Sequence, residues 1–273
     1  MIREICSGGG ARGAFHAGVV KFLDKKGIDI GERYGASIGG VNVLLRSAGY
    51  SLHEIWPKYF KFEKIAWKMF LAWIQKKDIY DAINMKHIYA SLVASNKTFD
   101  MLYTPTFVTA TDLDDNTPVI FGDYGEDSVL KAMIATSCYP ILFGPVHYKG
   151  RYYIDGGVSN NVPIPFNKLK PEDITIVTLL CDSKFDFLPA NFSALRGIKR
   201  KLAEGMALWD SFINREVAAE IKTWNEEKFG KLFVIAIDKE DAISGFDFSH
   251  TEELIQKGYA KASEVLQPLL TEV

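Results

Sequence analysis

A serine between two glycines is the first group in this sequence whose type and setting could do chemistry. Ser37 stands in the pattern G-x-S-x-G, flanked by Gly35 and Gly39, between a predicted strand and a predicted helix. A strained turn of this kind exposes the serine hydroxyl at the positive end of the next helix, where a neighbouring base can activate it. The pattern predicts a nucleophilic serine, and the alternative is a helix-capping serine whose glycines only allow close packing.

A glycine-rich loop lies one helix before the serine and could stabilise negative charge. Glycines let the backbone approach a ligand closely, and the free N–H groups at a helix N-terminus attract anions. The loop could therefore hold the oxyanion that forms when a serine attacks an ester. The candidate residues of this oxyanion hole are Gly8, Gly9, Gly10, Arg12 and Gly13.

The same loop leaves a second function open. Residues 8–13 also satisfy G-x-G-x-x-G, which between a strand and a helix is typical of a dinucleotide-binding oxidoreductase. That fold needs an acidic residue at the end of its second strand to bind the ribose hydroxyls. Here the G-x-S-x-G pattern occupies that position, and Glu32 lies at the start of the strand instead. This arrangement favours the oxyanion hole over the dinucleotide site.

An aspartate followed by two glycines is the candidate base. Asp155 precedes Gly156 and Gly157, which leave room for the carboxylate to meet the serine directly. An aspartate with an ordinary pKa of about 4 is a poor base for a hydroxyl, but partial burial would raise that pKa towards neutrality. Alone, the triplet is more often a turn cap, and only its combination with the other motifs favours a base. A triad with His250 is a further alternative, although only one strand and one helix precede Ser37, fewer than precede the nucleophile of α/β-hydrolases.

Three segments that contain these residues resemble the signature blocks of the patatin-like phospholipase family. They are SGGGARGAFHAGVVKFL, GASIGG and YIDGGVSNNVP, and they occur in the family's order. The likeness spans about residues 2–167. It implies a lipid acyl hydrolase in which Ser37 is the nucleophile, Asp155 is the proton acceptor and the glycine-loop amides form the oxyanion hole.

The resemblance also sets expectations about substrate and specificity. It implies a lipid substrate, either a phospholipid or another acyl ester, and no cofactor. The chain departs from the family's commonest elbow at Ala36 and Ile38, where threonine and a small residue are usual. Ile38 is expected to narrow the space beside the nucleophile.

The elements that must position these residues alternate between strand and helix. Such alternation predicts an α/β fold, a three-layer α/β/α sandwich with a mainly parallel central sheet. We expect a single domain over 1–273, with a signature-bearing core over about 2–167 that residues 168–273 complete. Strands are predicted over 2–6, 33–36, 106–111, 118–121, 151–154, 174–181 and 232–237, and helices over 11–26, 38–48, 128–137, 195–228 and 251–266.

Composition argues against several kinds of protein. The net charge of −2 provides no basic field for nucleic acid. The three cysteines form no CxxC or Cys/His cluster, so we expect reduced thiols and no metal site. The first residues lack the basic and apolar regions of a signal peptide, and no oily stretch is long enough to cross a bilayer. These features predict a cytoplasmic protein.

An aromatic and lysine-rich segment over 56–77 is the candidate for peripheral membrane contact. Large aromatics with lysines suit an interface that carries anionic lipid. The alternative is a helical lid that buries its aromatics over the active site. A non-catalytic lipid-binding module remains an alternative to an enzyme. The aromatic residues of this segment singled out here are Trp56, Phe60, Trp67, Phe70 and Trp73.

Overall fold

The computed structural model describes most of the chain. Four of the five predicted lid or membrane aromatics lie outside the described residues, namely Phe60, Trp67, Phe70 and Trp73. Residues 195–218 of the long predicted helix also lie outside them. The described residues are 1–59, 96–140, 143–180, 224–238 and 247–271, together with 89, 93, 219, 221, 222, 241, 243 and 245.

A mixed sheet of eight strands forms the centre of the protein. The hydrogen-bonded order is β5-β6-β3-β2-β1-β7-β8, with β4 also paired to β3. Strands β3, β2, β1, β7 and β8 are parallel to one another, whereas β4, β5 and β6 are antiparallel to their neighbours. The strands are β1 Ile2–Cys6, β2 Glu32–Ala36, β3 Thr106–Asp112, β4 Thr117–Phe121, β5 Val146–Tyr148, β6 Arg151–Asp155, β7 Ile174–Leu179 and β8 Lys231–Ala236.

The helices follow the strands as the alternation predicts, with one exception. The predicted helix 195–228 does not run unbroken to its end, because Asn225 is extended and its side chain caps a separate short helix. The α-helices of the described residues are α1 Gly13–Lys25, α2 Ser37–Ser47, α3 Leu52–Tyr59, α4 Val129–Thr136, α5 Glu226–Phe229, α6 Thr251–Val265 and α7 Gln267–Thr271.

The core lies on both faces of the sheet. Side chains alternate along a strand, so Cys6 faces one layer and Ile5 the other. The larger cluster joins the Cys6 face to helices α1, α2, α3, α4 and α6. On the Ile5 face, Val162 and Ile221 contribute to a smaller cluster. A sheet with apolar side chains on both faces confirms the predicted α/β fold and explains why every residue of β7 after Ile174 is buried.

Strands β2 and β6 end against each other on one edge of β3. Ala36, the last residue of β2, lies opposite Thr109, and Asp155, the last residue of β6, lies opposite Ala110. Strand β4 pairs with the same residues of β3, so it occupies the opposite edge. Because β2 runs parallel and β6 antiparallel to β3, their carboxyl ends converge at adjacent positions. The topology thereby brings Ser37 and Asp155 together.

Candidate active site

Ser37 sits in a strained turn at the first position of helix α2. Its φ of 51° lies in the left-handed region, which is uncommon for a residue other than glycine. The flanking glycines are needed because a Cβ on Gly35 would lie 2.7 Å from the Gly39 carbonyl carbon, and one on Gly39 would lie 2.5 Å from the Ser7 carbonyl oxygen. The strand–turn–helix geometry predicted from G-x-S-x-G is therefore present.

The Ser37 hydroxyl contacts Asp155 directly. Ser37 Oγ donates a hydrogen bond of 2.7 Å to Asp155 Oδ2, and the Gly157 N–H donates one of 2.7 Å to Asp155 Oδ1. The carboxylate is only 2% exposed. Because Ser37 contacts the carboxylate itself, no histidine stands between the two groups. His250 pairs instead with Glu253 on the surface, 2.9 Å away, so a Ser–Asp–His triad is not formed.

Burial changes the proton affinity of Asp155. Removing the carboxylate from water penalises its charged form and raises its pKa, while the hydrogen bonds from Ser37 and the Gly157 N–H partly oppose this rise. The resulting pKa is about 7. A group with this pKa can accept and return a proton near neutral pH.

The glycine loop lies against this pair. A Cβ on Gly8 would stand 2.8 Å from Ser37 Cβ, so only glycine allows the approach. Gly10 adopts a φ of 59°, and a Cβ there would collide with the Gly245 carbonyl oxygen. The Ala11 N–H donates to that same oxygen at 2.6 Å. The Gly245 carbonyl, after β8, thus fixes the loop.

Three of the five predicted oxyanion-hole residues use their amides elsewhere. The Gly8 N–H donates to Asn161 Oδ1 at 3.0 Å, the Arg12 N–H donates to the Gly9 carbonyl at 3.3 Å, and the Gly13 N–H donates to the Gly10 carbonyl. Within the described part of the chain, the amides of Gly9 and Gly10 have no hydrogen-bond acceptor. The predicted set of free donors therefore narrows to these two.

Arg12 supports the loop through its side chain. Arg12 Nε donates to the Gly9 carbonyl at 3.1 Å, alongside the Arg12 amide. In a trans peptide the N–H points away from the carbonyl oxygen. Holding the Gly9 carbonyl therefore also fixes the direction of the Gly10 N–H.

Two residues at the site had no predicted role. Asn161 Oδ1 accepts from the Gly8 amide and joins the glycine loop to the segment that follows Asp155. Thr136 Oγ1 accepts from the Ser37 N–H at 3.0 Å. Asn161 lies inside the third signature block, which was the only sequence signal for it. Thr136 lies in helix α4, whose sequence gives no sign of this contact.

Two residues near the predicted site, Ile38 and Trp56, pack into the interior of the protein. Ile38 is buried, and a Cβ on Gly13 would lie 2.7 Å from its Cγ1, so its side chain packs against the start of α1. Trp56 is fully buried, donates to Asn42 Oδ1 at 2.9 Å and stacks on Phe248. Trp56 is therefore a core residue and not a membrane-facing one.

No group of three or more His, Cys, Asp or Glu residues that could hold a metal ion occurs in the described ranges. Among the helices that the structure describes, none combines the length and apolar character needed to cross a bilayer.

Comparison with known proteins adds independent information. The family model described as patatin-like phospholipase matches residues 5–166, more than half of the chain. The chain is 27% identical over 200 residues to the "Probable lipid hydrolase 463L" of Invertebrate iridescent virus 6, a match that covers 64% of this chain and 69% of that protein. It is 25% identical over 173 residues to "Uncharacterized protein R571" of Acanthamoeba polyphaga mimivirus, covering 58% of each.

A solved structure shares the fold. The crystal structure of VipD from Legionella pneumophila aligns with 98% of this chain at a TM-score of 0.53 and 13% sequence identity. The alignment covers 66% of the VipD chain. This chain thus spans less than two thirds of VipD and of the mimivirus protein. At such low identity the likeness to VipD concerns the fold alone.

Proposed function

Because the chain belongs to the patatin-like phospholipase family, we propose that it is a lipid acyl hydrolase that works through a dyad of Ser37 and Asp155. One observation carries the proposal: Ser37 Oγ, in a strained turn, donates to the buried Asp155 carboxylate at 2.7 Å. The name of the iridescent virus relative, a lipid hydrolase, supports the substrate class.

In the proposed mechanism Asp155 acts first as the general base. It takes the Ser37 proton as Oγ attacks the carbonyl carbon of the ester, and the amides of Gly9 and Gly10 stabilise the resulting oxyanion. Collapse of the tetrahedral intermediate breaks the bond to the leaving alcohol, which receives the proton from Asp155. An acyl-enzyme on Ser37 remains.

The second half of the cycle releases the acyl group. Asp155, again ionised, takes a proton from water as the water oxygen attacks the acyl-enzyme. The second oxyanion occupies the same two amides, and its collapse returns the proton to Ser37 and frees the fatty acid. The substrate class is an acyl ester of a lipid, and peripheral contact with a membrane is part of the proposal because such substrates reside there.

Fluorophosphonate labelling tests the proposal. The wild type should be labelled, Ser37→Ala should not, and Asp155→Asn should react far more slowly because the hydroxyl has lost its base. Ser128→Ala is the matched control, since Ser128 also starts a helix but only caps it, accepting from the Lys131 N–H at 3.3 Å. Full labelling is expected for that control.

The same experiment decides against the alternatives. Lipase activity retained by Ser37→Ala would overturn the proposal. A protein that binds liposomes while Ser37 stays unlabelled in the wild type would instead be a non-catalytic lipid-binding module. A dinucleotide-binding oxidoreductase would be indifferent to fluorophosphonate and would show nucleotide quenching of its tryptophan fluorescence.

A further inference from the structure

The end of helix α4 touches both halves of the Ser37–Asp155 pair. Thr136, its last residue, accepts a hydrogen bond of 3.0 Å from the Ser37 N–H through Oγ1. Two residues later, the Cys138 carbonyl accepts one of 3.0 Å from the Asp155 N–H. Thr136 and Cys138 are both fully buried. One short segment therefore binds the backbones of two residues that lie 118 positions apart in the chain.

The Ser37 amide needs such a partner. As the first residue of a helix, Ser37 has an N–H with no acceptor in the helix itself. The positive φ of 51° also costs energy and persists only where surrounding contacts hold it. The Thr136 hydroxyl meets both requirements, because it satisfies the amide and resists relaxation of the turn.

The contact between α4 and α2 is tight. A Cβ on Gly40 would lie 2.7 Å from Thr136 Oγ1 and 3.0 Å from Thr136 Cγ2. The hydroxyl therefore has little freedom to move away from the Ser37 amide. Next to it, Ser137 Oγ turns back to the Met133 carbonyl at 2.8 Å, which helps to fix the end of α4.

We propose that residues 136–138 form a bracket that sets the spacing between Ser37 Oγ and the Asp155 carboxylate, with Thr136 as the positioning residue. This proposal rests on the proposed function. Thr136 touches no reacting atom and acts only through the backbone of the nucleophile. Its loss should therefore change the rate of the chemical step and leave binding of the ester unchanged.

Thr136→Val tests the bracket, because valine keeps the shape of threonine and lacks the hydroxyl. We expect kcat on a p-nitrophenyl acyl ester to fall by about 10- to 100-fold, since small misplacements of a nucleophile are that costly, while KM stays nearly constant. Thr136→Ser, which keeps the acceptor, should restore most of the rate.

A second readout is the pH profile of the rate. The hydrogen bond from Ser37 lowers the pKa of Asp155 against the larger effect of burial. If the valine variant lengthens that bond, the apparent pKa rises and the acidic limb of the profile moves to higher pH. A residue that only supports folding would not shift the limb.

Thr175→Val is the matched control. Thr175 is fully buried on β7, and within the described residues its hydroxyl has no hydrogen-bond partner. The same exchange of hydroxyl for methyl should leave kcat and the pH profile at their wild-type values. Thermal melting of each variant shows whether it is folded.

The outcomes separate the bracket from the proposed function. A wild type that hydrolyses no ester refutes both. An active wild type with Thr136→Val equal to it in kcat and pH profile refutes the bracket alone, as does a serine variant as slow as the valine one. Should Thr136→Val not fold, Thr136→Cys replaces it, and because sulfur is a weak acceptor a wild-type kcat in that variant overturns the bracket.

Discussion

Two carboxylates are buried almost equally in this protein, but their pKa values are shifted in opposite directions. Glu4 on β1 is fully buried, and Asp155 at the end of β6 is 2% exposed. Burial alone would raise the pKa of both. For Glu4 the charge of Arg46, the contact with His16 and the charge of Arg33 outweigh burial and hold its pKa well below its usual range. For Asp155 burial prevails, and its pKa is about 7.

The difference lies in the charge of the donors. Glu4 accepts from Arg33 Nε at 3.1 Å and from Arg46, and His16 Nε2 lies 3.0 Å from it, so it stays ionised and cannot take up a proton near neutral pH. Among the described residues, the Asp155 carboxylate accepts only from a hydroxyl and a backbone N–H, both neutral. The depth of burial therefore does not decide whether a carboxylate is structural or suited to proton transfer. Its partners do.

Replacing Asp155 tests the catalytic side of the comparison and has the largest expected effect. Asparagine keeps the shape and an acceptor for Ser37 but cannot take its proton. We expect kcat of Asp155→Asn to fall by about 100- to 10,000-fold, the range typical of a lost general base. Thermal stability should be unchanged or higher, because an unpaired buried charge has been removed. Steady-state kinetics and thermal melting measure the two effects.

Asp127→Asn is the control for that experiment. Asp127 is also buried but accepts from Lys149 Nζ at 2.6 Å, away from Ser37. Its kcat should equal that of the wild type. An Asp155→Asn enzyme with more than a tenth of the wild-type kcat would contradict the role given to Asp155.

Replacing Glu4 tests the structural side. Glu4→Gln leaves Arg33 and Arg46 without their shared carboxylate, and breaking a buried ion pair typically costs about 3–5 kcal/mol. We expect the free energy of unfolding in urea to fall by that amount. Asp24→Asn is the control, because Asp24 pairs with Arg46 but is 53% exposed, and such a pair contributes less than about 1 kcal/mol. Equal losses in the two variants would remove the basis for calling Glu4 structural.

The pH dependence gives the next effect. Asp155 must be ionised to act as a base, so kcat/KM should rise with pH through about 7 and level off above it. Stability should show the opposite sign. Because the folded pKa is raised above the ordinary 3.8, the stability that the protonated group provides at low pH is lost as pH rises towards 7. Asp155→Asn should remove this component, which urea unfolding at several pH values detects.

The turn at Ser37 and its immediate setting could be predicted from local patterns. G-x-S-x-G between a strand and a helix predicts the strained turn at Ser37, and the glycine loop before it predicts close backbone approach. The sequence signal for Asp155 is weaker, because Asp-Gly-Gly also fits an ordinary turn. Only the occurrence of this triplet together with the other two signature blocks indicates the site. The buried strand at 2–6 was predicted as well, but nothing local shows that Glu4 within it would be paired.

The remaining contacts depend on distances along the chain that no local pattern encodes. Glu4 meets Arg33 and Arg46 across 29 and 42 positions, and Ser37 meets Thr136 across 99. Trp56 shows the same difficulty in another form. An aromatic residue beside lysines suits a membrane interface or a packed core equally well. Only the fold shows that Trp56 points inward and donates to Asn42.

The smallest expected effect comes from adding a charge near Asp155. Asn161 Oδ1 and Asp155 Oδ1 lie 2.8 and 3.1 Å from the point where a Cβ on Gly157 would stand, so the two side chains are close neighbours. Asn161→Asp keeps an acceptor for the Gly8 amide and adds a negative charge. A like charge raises the pKa of a carboxylate, so the acidic limb of the pH–rate profile should move up by about one unit.

Asn161→Ala separates the charge from the lost acceptor. This variant frees the Gly8 N–H without adding charge, so kcat should fall by about ten-fold or less as the glycine loop loses one of its supports, while the acidic limb stays in place. The positive charges of the arginines lower the pKa of Glu4, and by the same electrostatic rule the negative charge of an aspartate at position 161 should raise the pKa of Asp155. If the acidic limb of the pH–rate profile lies at the wild-type pH in both Asn161 variants, then neighbouring charge does not control the pKa of Asp155. The contrast with Glu4 would then need another cause.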